Sequence, residues 1–152
     1  MRQLLLLCAW LCLAPFPAFA KTERAPSTGE GPLAYALDAL GTRYRLGGRS
    51  PETGFDCSGL IAHAFEQSWG LLLPHNARAQ SRLGKPVGRA DLAPGDLVFY
   101  NTRNEPFSHV GMYIGNGRFI HAPKPGARVR LERFDTPYWR SRFDGARRLE
   151  NH

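Results

Sequence analysis

Residues 54–70 of the chain read GFDCSGLIAHAFEQSWG. Counted from Cys57, apolar side chains recur three, four, seven and eight positions later, a spacing that places them along one face of an α-helix. Gly70 is a residue typical of the position just after a helix, where the backbone turns left-handed. The stretch therefore predicts a buried helix that begins at Cys57 and ends before Gly70.

Cys57 is the only cysteine outside the first twenty residues, which contain Cys8 and Cys12. Taken alone, a single thiol is either an inert core residue or a nucleophile. The start of a helix favours a nucleophile, because free backbone N–H groups and the helix dipole stabilise a thiolate and lower the thiol pKa. The same N–H groups can face an oxyanion during acyl transfer. We therefore predict a nucleophilic Cys57, with Asp56 as the residue that caps its helix.

The second half of the chain has the pattern of β-strands. Pro-Gly-Asp at 94–96 marks a turn before the apolar run 97–100, and the segments 108–114 and 118–122 flank a Gly-Asn-Gly sequence. Shorter strand candidates lie at 129–131 and 147–149. Helices followed by adjacent strands predict an α+β domain, in which N-terminal helices pack on an antiparallel meander of about five to six strands.

His109 and His121 lie in the two strands of the predicted hairpin, and its register decides whether they share a face. A two-residue loop would put them on opposite faces, because side chains alternate along a strand. A three-residue loop with Gly117 left-handed as a bulge makes Gly111 face His121 and brings both imidazoles to one side. This register also collects the apolar side chains on the other side. We therefore predict it, with His121 bonded to His109 and His109 aimed at Cys57.

The first twenty residues have the composition of a secretion signal. Arg2 precedes an apolar run of about ten residues, and small residues suited to signal peptidase stand at positions 18 and 20. We therefore predict cleavage near Ala20/Lys21 and a periplasmic or secreted protein. The remaining predicted segments are a flexible linker at 21–31, a folded domain at 32–149 and a tail at 150–152.

The chain has 152 residues, with 20 Lys and Arg against 13 Asp and Glu, and 43% of its residues are hydrophobic. These values fit one folded domain and exclude fibrous and disordered classes. Nine basic and three acidic residues lie between Arg118 and Arg148, so the basic C-terminal third of the chain predicts electrostatic contact with anionic envelope surfaces. No nucleic-acid recognition motif accompanies the charge, which argues against nucleic acid as a partner.

Five motifs occur in an order that resembles the NlpC-type cysteine peptidases, a papain-like group of bacterial cell-wall hydrolases. The motifs are YRLGG (44–48), DCSGL (56–60), PGDLVF (94–99), SHVGMYIG (108–115) and FIHA (119–122). By this resemblance Cys57 corresponds to the nucleophile, His109 to the general base and His121 to the residue that orients the base. The resemblance implies hydrolysis of peptidoglycan stem peptides through an acyl-enzyme, without a cofactor.

The resemblance also implies a substrate cleft. Its candidate binding residues are Tyr44, Asp56, Ser58 and His75, although His75 stands where many relatives carry arginine. Relatives cut either the D-alanine to diaminopimelate crosslink or the γ-D-glutamyl bond to the diamino acid, and we favour the crosslink here.

Other functions stay open at this point. A catalytically silent peptidoglycan-binding module and an acyltransferase on the same fold are the main alternatives. A zinc enzyme is a weaker one, because no metal-ligand spacing such as H-x-x-x-H occurs. The bond that is cut, the oligomeric state and any regulator that activates or localises the protein are likewise open.

Overall fold

A computed structural model describes residues 31–151. The predicted signal sequence, nearly all of the predicted linker and His152 lie outside the described residues. Among the described residues, no helix is long and apolar enough to cross a membrane. In chain order the α-helices and β-strands are α1 (Pro32–Asp38), β1 (Arg49–Ser50), β2 (Gly54–Phe55), α2 (Cys57–Trp69), α3 (Ala77–Gln80), β3 (Lys85–Val87), β4 (Leu97–Tyr100), β5 (His109–Gly115), β6 (Arg118–His121), β7 (Arg130–Arg133), α4 (Pro137–Arg142) and β8 (Phe143–Arg148), with one turn of 3-10 helix (Arg89–Asp91) between β3 and β4.

Helix α2 forms where the apolar spacing predicts it. Asp56 caps its first turn by accepting the Gly59 N–H at 2.7 Å. At the other end, Gly70 follows the helix with a left-handed φ of 65°. The apolar stripe is buried and consists of Leu60, Ile61, Ala64 and Phe65. The predicted helix is therefore confirmed at both ends.

Strands β3 to β8 form one antiparallel sheet with the spatial order β3-β8-β4-β5-β6-β7. Strands β4 to β7 are neighbours in sequence and form a meander, whereas β8 returns to pair with the outer side of β4. The α+β class and the six strands are confirmed, but the meander accounts for only four of the six. The prediction missed the return of β8 because strand order depends on contacts between distant segments.

Both faces of the sheet are covered at β4, and all four residues of this strand are buried. Leu97 and Phe99 pack in one hydrophobic cluster with residues of α1 and α2. Val98 and Tyr100 pack in a second cluster, with Trp139 of α4. The apolar run is therefore typical of a strand that is covered on both sides. Strand β5 pairs with β4 and β6 pairs with β5, and these two strands contain His109 and His121.

The hairpin of β5 and β6 has the predicted pairing. Met112 pairs with Ile120, which is the register that places His109 and His121 on one face of the sheet. Val110, Met112, Ile114 and Ile120 gather on the other face, in the cluster with α1 and α2, whereas Phe119 lies on the histidine face in the cluster with Trp139. The predicted register is therefore confirmed.

The turn that produces this register differs from the predicted one. Gly115 pairs with Arg118, so the loop has two residues, and Asn116 and Gly117 both have positive φ values, 52° and 67°. Positive φ at both positions is typical of a type I′ turn. The register instead shifts between Tyr113 and Gly115, which has a φ of 94°. A β-bulge within β5, and not a third loop residue, produces the pairing.

Several short elements were missed by the sequence-based prediction. Strands β1 and β2 have two residues each, and α4 has six. Segments of this length are too short to show a hydrophobic period. The candidates at 129–131 and 147–149 overlap β7 and β8 but have the wrong ends.

Candidate active site

Cys57 is the first residue of α2, and a close approach of the chain at Gly59 shapes its surroundings. A Cβ at position 59 would collide with the Gly48 carbonyl oxygen, so glycine lets the loop before β1 lie against the start of the helix. That loop also donates the Gly47 N–H to Asp56 Oδ2 at 2.8 Å. The first turn of α2 is therefore held by the neighbouring loop as well as by its own cap.

Burial raises the pKa of the Cys57 thiol above its ordinary value. Backbone hydrogen bonds from Val110 and Ser58 and the charge of Arg103 lower that pKa, but burial has the largest effect. The expectation of a lowered thiol pKa is therefore wrong in sign. The helix terminus helps as predicted, yet the partial burial of Cys57 outweighs it, and the free protein favours the neutral thiol.

His109 begins β5 and His121 ends β6, and the hairpin register brings their rings together. His109 Nε2 and His121 Nδ1 lie 2.8 Å apart and share one hydrogen bond. Both residues are buried, with exposed fractions of 4% and 0%. The Trp139 ring stacks on His109 at a centroid distance of 5.8 Å and meets His121 edge-on at 5.1 Å. The predicted hydrogen bond between the two histidines is present, and an aromatic ring encloses it.

Burial lowers the pKa of both imidazoles, that of His109 to about 4 and that of His121 to about 2. The charge of Arg103 adds to the effect on His109, and His109 and Arg130 add to the effect on His121. Both rings are therefore neutral near pH 7. When His109 carries its proton on Nε2, that nitrogen donates to His121 and Nδ1 of His109 is left as a proton acceptor.

A cavity of about 950 Å³ has both Cys57 and His109 in its wall. The candidate substrate-binding residues also line it, namely Tyr44, Asp56, Ser58 and His75. His121 is not in this wall and lies behind His109. Across residues 31–151, no group of three or more His, Cys, Asp and Glu side chains is arranged to hold a metal ion. The structure thus brings the predicted site residues to one cavity, with His121 in the layer beneath.

Asp56 and His75 belong to a second hydrogen-bonded chain at this cavity. Asp56 Oδ1 accepts hydrogen bonds from the Gly59 N–H at 2.7 Å and from His75 Nε2 at 2.9 Å. Arg49 Nε donates to His75 Nδ1 at 2.6 Å, which leaves the His75 proton on Nε2. Because Gly47 occupies Oδ2, both oxygens of Asp56 are engaged. The helix-cap role of Asp56 is confirmed, and its contact with substrate stays a prediction.

The sequence analysis missed many residues in the wall of the cavity, among them Arg103, Glu132 and Trp139. Arg103 donates to the Ser108 carbonyl oxygen at 3.3 Å, and its charge lowers the pKa of His109. Glu132 and Trp139 reach the site from β7 and α4, so no local spacing indicates them. The available signal for Trp139 was a large aromatic residue in an otherwise basic segment.

The chain matches the NlpC/P60 family over residues 41–148. Murein DD-endopeptidase MepH of Escherichia coli (strain K12) is 37% identical over 133 residues, which are 86% of this chain and 48% of the relative. Gamma-DL-glutamyl hydrolase of Bacillus subtilis (strain 168) is 38% identical over 128 residues, which are 83% of this chain and 31% of the relative. This chain therefore spans less than half the length of either relative.

Solved structures agree with the sequence match. The crystal structure of an NlpC/P60 family protein from Bacillus cereus ATCC 10987 superposes with a TM-score of 0.69 and 33% identity, covering 76% of this chain and 39% of that chain. The matched range includes Cys57, His109 and His121 together with the six-stranded sheet that positions the two histidines. The chain therefore belongs to the NlpC/P60 family.

Proposed function

We propose that this protein is a cysteine endopeptidase that hydrolyses peptidoglycan stem peptides or their crosslinks. The observation that carries the proposal is the presence of Cys57 and His109 in the wall of one cavity, with His121 bonded to His109 at 2.8 Å. Relatives named as a murein endopeptidase and a glutamyl hydrolase support the same activity. The proposed reaction uses no cofactor.

Acylation begins from a neutral Cys57 thiol and a neutral His109, the forms that burial favours. As Sγ bonds to the peptide carbonyl carbon, the thiol proton moves to His109 Nδ1 and an electron pair moves onto the carbonyl oxygen. Backbone N–H groups in the first turn of α2 can donate to that oxyanion. His109 then gives its proton to the leaving nitrogen, the C–N bond breaks and a thioester remains.

Deacylation repeats the proton transfers with water. His109 Nδ1 takes a proton from water while the oxygen bonds to the thioester carbon, and the proton returns to sulfur as the C–S bond breaks. Throughout both steps His121 Nδ1 accepts the hydrogen bond from His109 Nε2. This contact stabilises the imidazolium that forms on His109 and keeps the ring in one orientation.

We further propose the D-alanine to diaminopimelate crosslink as the bond that is cut. The name of the E. coli relative, a murein DD-endopeptidase, supports this choice. The name of the Bacillus subtilis relative, a gamma-DL-glutamyl hydrolase, supports a glutamyl bond instead, with nearly the same identity, 38% against 37%. The preference therefore rests on family resemblance, and the experiment below decides between the two bonds.

In this proposal the protein acts in the periplasm or outside the cell after cleavage near Ala20/Lys21. The basic segment from Arg118 to Arg148 would then contact anionic envelope surfaces. Ion pairs engage three of its arginines, namely Arg130, Arg133 and Arg148. The excess of nine basic over three acidic residues leaves net positive charge for such contacts.

The decisive experiment incubates the purified protein with monomeric and crosslinked muropeptides and identifies the products by mass spectrometry. We expect crosslinked dimers to become monomers, and we expect Cys57→Ala to leave them intact. Cleavage of monomeric tripeptides between glutamate and diaminopimelate, with dimers untouched, would select the other bond. Binding without any product would favour a silent module, and transfer of the acyl group to an added amine would favour an acyltransferase.

A further inference from the structure

His121 Nε2 is a buried nitrogen with no hydrogen-bond partner among the described residues. The whole side chain has an exposed fraction of 0%, and its other ring nitrogen is bonded to His109. A single described carboxylate approaches Nε2, and its Oε1 atom, from Glu132 of β7, lies 3.8 Å away. The proposed reaction has so far given this carboxylate no role.

The proposed reaction requires one tautomer of His121. His109 must hold its proton on Nε2 so that Nδ1 can take the thiol proton of Cys57. His121 Nδ1 must then be the acceptor, and the His121 proton must lie on Nε2. In the other tautomer His121 donates from Nδ1, which forces the His109 proton onto Nδ1 and removes the base.

We propose that Glu132 is a positioning residue that holds His121 in the tautomer with the proton on Nε2. This inference rests on the proposed cysteine peptidase function. The separation of 3.8 Å is too long for a hydrogen bond, but the ring is fully buried and only 25% of the Glu132 side chain is exposed, so the carboxylate still attracts the positive end of the N–H bond. With the proton on Nδ1, the lone pair of Nε2 would face the negative oxygen, which is unfavourable.

Arg130 limits what the carboxylate does to the ring. Arg130 Nε and Nη2 contact the same Oε1 atom of Glu132 at 2.8 and 2.7 Å. Arg130 is the pairing partner of His121 across β6 and β7, and Glu132 is two residues further on the same face. The positive charge of Arg130 opposes protonation of His121. The Arg130–Glu132 pair therefore orients a neutral His121 ring. A protonated His121 would carry a proton on Nδ1 and could no longer accept the hydrogen bond from His109.

The chain contains a matched ion pair that lacks a histidine. Arg133 and Asp135 are also two residues apart, and their side chains contact each other at 2.7 Å. Both are well exposed, with 70% and 55% of the side-chain surface open to solvent. Breaking this pair removes a comparable arginine–carboxylate contact without touching His121. Asp135→Asn is therefore the control for substitutions of Glu132.

The test combines two measurements on the full chain. Nitrogen-15 NMR of the His121 ring reports which nitrogen carries the proton, and kinetics on a purified crosslinked muropeptide dimer give kcat and KM. In Glu132→Leu we expect the proton to move partly to Nδ1 and kcat to fall about 10- to 100-fold with KM nearly unchanged. Glu132→Gln, whose amide oxygen can still face Nε2, should show smaller changes of the same kind. Asp135→Asn should match the wild type in both measurements.

Unchanged NMR signals together with unchanged kcat in Glu132→Leu would overturn the proposal, and so would a change in KM alone, which indicates a substrate contact. If circular dichroism shows that Glu132→Leu does not fold, Glu132→Gln decides by the same criteria. The NMR measurement needs no substrate. A wild-type protein that cleaves no muropeptide would therefore count against the proposed function while the tautomer is still tested.

Discussion

Two histidine chains border the same cavity, and they differ in what surrounds each ring. His109 and His121 are bonded to each other and almost fully buried, and Trp139 stacks on His109 and meets His121 edge-on. His75 lies between the Arg49 guanidinium and the Asp56 carboxylate, and 13% of its side chain is exposed. The first chain consists of two neutral rings. In the second chain, the His75 ring is held between a positive and a negative side chain.

This difference separates a ring that can move protons from a ring that supports structure. Both nitrogens of His75 are occupied, one by Arg49 and one by Asp56. His109 uses only Nε2 for its partner, so Nδ1 remains available to exchange a proton with Cys57. The hydrogen bonds around each ring, more than its place in the cavity wall, therefore indicate which histidine is the base.

The largest expected effect compares the two histidines in the cavity wall, His109 and His75. His109→Ala should remove detectable cleavage of crosslinked muropeptides, because the one other histidine among the described residues of the cavity wall, His75, has both ring nitrogens in hydrogen bonds. His75→Ala should retain turnover and lose about 1 kcal/mol of unfolding free energy, since it deletes a hydrogen bond to Asp56. Product analysis and urea unfolding measure the two outcomes. Loss of cleavage in both variants to the same extent would contradict the comparison.

The next effect concerns a hydrogen-bond partner of each of these two histidines, His121 beside His109 and Arg49 beside His75. His121→Ala should lower kcat by up to about 10⁴-fold, because His109 loses the partner that sets its tautomer and stabilises its charged form. Arg49→Ala removes the hydrogen-bond donor to His75 and should change kcat little. Steady-state kinetics on the same substrate provide the measurement. Normal turnover of the His121 variant would remove this residue from the mechanism.

Acid should destabilise the protein through the buried pair. The pKa values of His109 and His121 fall to about 4 and 2 in the folded protein, against about 6.5 in an unfolded chain. Below pH 6.5 the unfolded chain binds more protons, so stability present above that pH is lost as pH falls, at up to about 1.4 kcal/mol per unit for each ring. Between pH 7 and pH 5, the melting temperature of His121→Asn should fall less steeply than that of the wild type. Equal slopes would contradict the buried neutral pair.

The smallest expected effect concerns the thiol itself. The charge of Arg103 lowers the pKa of Cys57, so Arg103→Gln should raise it further and slow alkylation at pH 7 by about twofold, an effect that salt reduces. Arg118→Gln, which removes an exposed arginine outside the cavity wall, is the control and should leave the rate unchanged. Iodoacetamide labelling followed by mass spectrometry gives both rates. A rate for Arg103→Gln equal to that of the control would contradict the assigned influence.

The sequence was sufficient where the signals are local. Helix α2 carries its cap, its apolar stripe and its terminating glycine within residues 56–70, so its ends were predictable. The pairing of β5 with β6 was predictable from the requirement that apolar residues share one face, although the turn was assigned wrongly. Both Gly115 and Gly117 accept positive φ, so glycine content alone could not distinguish a bulge in the strand from one in the loop.

What could not be predicted depends on contacts between distant segments. The sign of the Cys57 pKa shift follows from burial by several elements, which outweighs the helix terminus that the sequence does show. Glu132 reaches His121 only because β7 pairs with β6 in one particular register. Trp139 reaches the histidines because α4 covers the second face of the sheet. No spacing within a single segment indicates these contacts.

Because of the bulge at the end of β5, this hairpin should tolerate the deletion of one residue close to the turn but not of one close to His109. Deleting one residue between Tyr113 and the loop would remove the bulge and leave the pairing of Met112 with Ile120 intact. Deleting one between His109 and Met112 would turn the imidazole to the opposite face. Alignments of relatives should therefore allow the two histidines to be one residue closer in sequence. A graft that replaces the turn should begin after Tyr113.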